Sequence, residues 1–280
     1  MTQCTKLDVN VRIGYLKNCI WSTGFMIKSI CRIVITSSFY FLIYGFCASS
    51  EMIVHNILND IVKKAEIQYQ KTMNNVSDAT FMGKILYKEM DKHGNIKKDA
   101  IINRRIYMKS TGKRYEKYLD MVVNGKKLSQ KEMEEEIDNW KKGSKMSETK
   151  MPFAKETKSD YSYNLISDTT LNGLPAWIIG FTAKQKKDGY IDGKAYILKS
   201  SYGLARIEFT PSKKSSVIDD MELSLSYSEI QGYWLPVKFE MDMKINVKFV
   251  LSMYQKHIKI EDIYSQYKLN TGLQDSLFES

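Results

Sequence analysis

Apolar and polar residues follow three successive patterns along this chain. The first is a continuous, mostly apolar run of 14 residues, Ile33 to Phe46 (IVITSSFYFLIYGF). It falls short of the ~20 residues that carry a helix across a membrane. Lys28 and Arg32 precede it, and Ala48-Ser49-Ser50 follows it. A basic stretch, an apolar stretch and small residues at the cleavage point make a secretory leader. Cleavage is expected after Ser50. The stretch before the apolar run is long for a leader if translation begins at Met1, so Met26 is the expected start. An uncleaved anchor is the other reading of this segment. Phe46 is bulky where a lipidation site wants a small residue, so no lipid anchor is expected at Cys47.

The second pattern has a helical period. Ile53, Ile57, Leu58, Ile61, Val62, Ala65 and Tyr69 recur at three- and four-residue spacing, predicting an amphipathic helix over Glu51 to Met73. The period then drops to two. Ala79 to Met90, Ala100 to Lys109 and Lys113 to Val123 read as strands, separated by His93-Gly94-Asn95 and Ser110-Thr111-Gly112 and closed by Asn124-Gly125. A second helix is marked by Ser129-Gln130-Lys131-Glu132, a capping box, with Met133, Ile137 and Trp140 as its apolar stripe and Gly143 as its stop. The acidic run Glu134-Glu135-Glu136 is expected to be a solvated helix face, since adjacent helical carboxylates diverge.

Gly143 to Asp160 is polar and lysine-rich and reads as a long surface loop. From Tyr161 onward the chain reads as strand and turn, punctuated by Asn172-Gly173, Asp188-Gly189, Asp192-Gly193, Tyr202-Gly203 and Gln231-Gly232. The longest alternation runs from Leu235 to Phe249, with Phe239, Met241 and Met243 on one face and Lys238, Glu240 and Asp242 on the other. Such a run extends about 50 Å, so it must bend or bulge. One apolar and one wet face imply an antiparallel sheet. Helix, three strands, helix, then many strands gives no βαβ alternation. The predicted class is α+β, mainly antiparallel β. Residues 1–50 form the leader and 51–280 one domain.

Composition removes most chemistries. All four cysteines (Cys4, Cys19, Cys31, Cys47) precede residue 51. Disulfides and cysteine nucleophiles are therefore excluded from the expected mature chain. His55, His93 and His257 have no metal-binding spacing, and no phosphate-loop, dinucleotide or nucleophile-elbow motif occurs. The expectation is a protein without catalytic residues, metal or cofactor. The full chain carries net +10. Cleavage would remove five of its 42 basic and one of its 32 acidic residues, leaving net +6. An exported chain with a modest basic excess suits transient contact with anionic membrane surfaces better than nucleic acid.

Trp177, Ile179, Phe181, Ile207, Phe209, Leu223, Leu225, Phe239, Met241 and Met243 are the candidates to line an apolar cavity on the sheet, with Met133, Ile137 and Trp140 as a lid. Methionine adapts to variable apolar ligands. The same residues would also serve as an ordinary filled core.

Several turn and strand-end motifs carry a family resemblance. They are Asn172-Gly173-Leu174-Pro175-Ala176-Trp177-Ile178-Ile179, Gly193 to Leu198, Gly203-Leu204-Ala205-Arg206-Ile207-Glu208-Phe209 and Gly232-Tyr233-Trp234-Leu235-Pro236-Val237. This series resembles the outer-membrane lipoprotein-sorting superfamily, the LolA/LolB-like and RseB-like proteins. The resemblance implies a half-open curved β-barrel covered by helices. It also implies a periplasmic or envelope-associated carrier that binds acyl chains of lipids or lipoproteins in an apolar cavity. An RseB-like sensor with an envelope protein partner, or a structural envelope protein with a filled barrel, are the alternatives.

Overall fold

The computed structural model describes residues 55–143, 149–213, 218–248 and 253–279. The chain divides into Met1–Ile53 and Val54–Ser280, and every described residue lies in the second unit. The expected leader, its start at Met26, the four cysteines and Phe249 lie outside the described residues.

Helix α1 spans residues 55–75. Strands β1 (Asp78–Met90), β2 (Ile96–Lys109), β3 (Arg114–Val123) and the short β4 (Lys126–Lys127) follow, then helix α2 (Gln130–Gly143). After a 3₁₀ turn at Lys158–Asp160 come β5 (Tyr161–Leu171), β6 (Leu174–Ala183), β7 (Ile191–Leu198), β8 (Leu204–Pro211), β9 (Ile218–Ile230), β10 (Tyr233–Lys248) and β11 (Met253–Leu269). A last 3₁₀ turn covers Asp275–Phe278. All strands join one antiparallel sheet in the order β4-β3-β2-β1-β11-β10-β9-β8-β7-β6-β5. Consecutive strands are neighbours in the sheet except β4 and β5, which lie at its two edges, and among the described residues the one pairing of non-consecutive strands is β1 with β11. That long-range pairing joins the N-terminal hairpins to the C-terminal meander. β4 and β5 are left as edges, so the sheet is a curved half-barrel and not a closed one.

Local chemistry explains most boundaries. Asn172 (φ 51°) and Gly173 (φ 81°) make a left-handed two-residue turn that matches the twist of β5 and β6. The capping box starts α2. The Ser129 backbone N–H and hydroxyl donate to the Glu132 carboxylate (both 2.8 Å), and the Glu132 backbone N–H donates back to the Ser129 hydroxyl (3.4 Å).

Three expectations are corrected. Asp192-Gly193 is not a turn but lies inside β7. A Cβ on Gly193 would fall 2.0 Å from the Glu208 backbone oxygen, so the glycine serves close strand approach. The segment before β5 is not a plain surface loop: Pro152 and Phe153 are fully buried. Its residues 144–148 lie outside the described residues. The alternation from Leu235 is broken by an extra residue, Val237. Pro236 pairs with Tyr227 and Lys238 with Ser226, so Leu235 falls opposite Ser228 and out of phase with Phe239.

Candidate binding site

Helix α1 lays Leu58, Ile61, Val62 and Ala65 on β5 to β9. Beneath it Ile179, Phe181 and Ile207, three of the cavity candidates, are buried in one cluster with Phe153. Trp177, Phe209 and Leu225 pack at its margin, with the Trp177 ring 5.4 Å from that of Tyr202. The strap that carries Phe153 is pinned by tyrosines of β5. The Tyr161 hydroxyl donates to the Lys150 carbonyl (2.5 Å), and the Tyr163 hydroxyl donates to the carbonyl of Pro152. Burial pushes the Tyr161 phenol up to about 12. This part of the sheet is filled by the chain's own side chains.

Helix α2 packs elsewhere. Met133 and Ile137 are buried against Ile85, Ala100, Ile102 and Met121, and Trp140 tilts over Tyr87 at 5.2 Å. The proposed lid residues therefore sit over β1 to β3, apart from the candidates on β6 to β8. The register puts both helices on one face of the sheet: Ile179 leads through the cross-strand line Ala195, Ile207, Leu225, Phe239, Asp262, Ile85, Ile102 to Met121.

Between the two helix-covered clusters lies β10. The α1 cluster reaches Leu225 and Tyr227 on β9, and the α2 cluster reaches Ile260 on β11. Phe239, Met241 and Met243 occupy the gap and are half-buried. Each faces an apolar partner on β9: Leu225, Leu223 and Met221 in turn. On β11, Met241 faces Ile260 and Met243 faces Ile258. These cross-strand pairs form one apolar strip, about 13 Å long from Phe239 to Met243.

The strip ends in charge. Asp262 stands opposite Phe239, beside a cluster that sequence reasoning missed. The Arg104 guanidinium donates to Asp262 and to Glu116 (2.6 Å to the latter), and Arg114 pairs with Glu116 at 2.6 Å. Arg104 and Asp262 are only 7% and 5% exposed. Burial pushes the Glu116 carboxyl up, but Arg104 and Arg114 outweigh it and hold it below the usual range. At Asp262 burial wins over Arg104, and its carboxyl is raised. Burial and the neighbouring Asp262 also raise the Tyr264 phenol. A Cβ on Gly83 would lie 3.0 Å from Arg104 Nε, so that glycine makes room for the guanidinium. The missed signal is a charge on an apolar phase: Ile102-x-Arg104-x-Ile106, and Ile258-x-Ile260-x-Asp262.

The opposite face carries a hollow of about 900 Å³. Leu86 of β1 and Ile166 of β5 both border it although six strands lie between them, so the sheet curls toward this side. Phe209, Leu223 and Met241 border it, but their alternating neighbours supply four cations and six carboxylates. Lys194 pairs with Glu208 (3.0 Å), Arg206 with Glu208 (2.9 Å) and Lys259 with Asp242 (2.9 Å). Among the described residues no cluster of His, Cys, Asp and Glu suits a metal ion, and no helix is long and apolar enough to cross a membrane.

The family described as "-like: Uncharacterized protein" matches residues 118–280, more than half of the chain. The chain belongs to that family. Its matched region runs from β3 to the C-terminus and so contains β10, Asp262 and the strap, while Arg104 precedes it. No curated protein matches the chain. Among solved structures, a putative outer-membrane lipoprotein-sorting protein domain from Vibrio parahaemolyticus is similar at 13% identity and TM-score 0.41, covering 80% of this chain and 96% of that one. A DUF1329 family protein from Desulfovibrio piger is similar at 11% identity and TM-score 0.39, covering 79% and 96%. A LolA superfamily protein from Nitrosomonas europaea is similar at 13% identity and TM-score 0.33, covering 79% and 96%.

Proposed function

We propose that this chain is an exported, non-enzymatic carrier or chaperone that holds the acyl chain of a lipid or lipoprotein. The supporting observation is the apolar strip Phe239, Met241 and Met243, half-buried between the two helix-covered clusters. Each buried CH₂ of such a chain contributes ~0.8 kcal/mol, so ten of them would outweigh part of the cost of association. Methionines let the strip adapt to chains of different length. Export rests on the leader pattern of residues 1–50, with 51–280 acting as one domain. In this reading the acyl chain lies along β10 and its neighbours, with Trp177, Ile179, Phe181 and Ile207 of the cluster under α1 forming its wall.

The test is native mass spectrometry of the protein purified without detergent from an exporting host. Extractable lipid mass is expected on the native protein and lost in Met241→Glu, with strand content unchanged by circular dichroism. A bare polypeptide mass that persists after incubation with phospholipid and acylated peptide would overturn the reading.

A second reading is an RseB-like sensor with a protein partner. The charged wall of the hollow favours it, because ion pairs and exposed carboxylates suit a polar surface better than an acyl chain. Recovery of one envelope protein by the native chain, lost in Glu222→Lys, would support that reading.

A further inference from the structure

Among the described residues, three buried side-chain polar atoms have no hydrogen-bond partner: Arg104 Nε, Asp262 Oδ1 and Asn246 Oδ1. Two of the three belong to one ion pair, which stands where the apolar strip ends. Native proteins leave few such atoms, and each demands an explanation. Here the unused groups are complementary in kind. Arg104 Nε–H is a donor and Asp262 Oδ1 is an acceptor.

We propose that Arg104 and Asp262 receive the secondary amide that heads an N-acyl chain. This rests on the strip being an acyl site. The amide carbonyl would accept from Arg104 Nε–H, and the amide N–H would donate to Asp262 Oδ1. The acyl chain would leave past Phe239, directly across from Asp262, and run along Met241 and Met243. An ester fills only the acceptor half of this arrangement and leaves Asp262 Oδ1 without a donor. A free fatty acid brings a third carboxylate to a place already holding Asp262 and Glu116. Both polar atoms are covered in the free protein, so binding requires neighbouring side chains to move.

The test compares two probes that differ only at the linking atom, N-methyldodecanamide and methyl dodecanoate, with sodium dodecanoate as a third. Isothermal titration of the detergent-free protein is expected to show the amide bound at least about tenfold more tightly than the ester, the effect of one hydrogen bond to a charged group. The carboxylate is expected to bind most weakly. Asp262→Leu should erase the amide preference and keep ester affinity. Equal binding of amide and ester by the native protein would overturn this inference and leave the strip as an acyl site, because a bridging water would then account for both atoms. Binding of none of the three probes would overturn the strip itself. The native comparison decides even if the Asp262 variant fails to fold.

Discussion

Asp262 lies directly across from Phe239 in the β10–β11 register, so a buried ion pair and an apolar strip share one line of side chains. Arg104 serves both Asp262 and Glu116 from this position, whereas Glu116 has Arg114 as a second partner. The cluster is therefore asymmetric. Arg104→Met would leave Asp262 buried without its ion-pair partner, and such removals cost about 3–5 kcal/mol. Asp262→Asn keeps the shape and removes the charge whose carboxyl burial already raises, so its cost should be smaller. Urea denaturation of the two variants checks this order. A larger loss for Asp262→Asn would show that the pair is not organised around Arg104.

Phe153 gives the second prediction. Its ring is buried in the α1 cluster, 5.9 Å from that of Tyr163. Phe153→Ala should cost about 3–5 kcal/mol, as for large-to-small changes in a core. A residue on a surface loop would cost within about 0.5 kcal/mol. Thermal or chemical unfolding separates the two outcomes cleanly.

Gly193 gives the third. Gly193→Ala forces a methyl against the Glu208 carbonyl at 2.0 Å, and backbone cannot step aside as a side chain can. Overpacking of this kind costs about 1–3 kcal/mol or more. Amide exchange should quicken at the β7–β8 pairing first and leave β1–β2 protected. Uniform protection across the sheet would count against the close approach.

The residues that the sequence disclosed and those it concealed differ in a physical way. Local signals were mostly reliable, with Asp192-Gly193 inside β7 as an exception. The capping box at Ser129 and Glu132, the Asn172-Gly173 turn and the strand phases of β1 to β3 depend on neighbours a few residues away. What depends on distant partners was hidden. The pairing of β1 with β11 has no local signature. Met133 and Trp177 are equally apolar in sequence, and only topology sends them to different clusters. The extra residue Val237 reverses a phase that reads as unbroken. Arg104 and Asp262 were visible as charges on apolar phases, but their pairing spans 158 residues. For the proposed binding region, the apolar residue types on β10 were legible, whereas the charged end was not.

Asp78 gives the last prediction, for pH. Its carboxylate stands at the start of β1 and accepts backbone N–H bonds from Thr271 (2.8 Å), Gly272 (2.9 Å) and Leu273 (3.4 Å), and the Thr271 hydroxyl (2.9 Å). Burial pushes its pKa up, but these donors outweigh burial and hold it below the ordinary value of 3.8. A carboxylate depressed in the folded state contributes stability above its unfolded value and loses it as pH falls through the folded value. The C-terminal segment 270–279 should therefore stay docked at neutral pH and loosen from about pH 4 downward. Asp78→Asn should remove this component of the acid response, lowering stability at pH 7 and bringing the two proteins together at low pH. Amide exchange at Thr271 to Leu273, followed against pH, tests it. If exchange in the native protein and the variant stays parallel from pH 7 to low pH, Asp78 does not hold the segment.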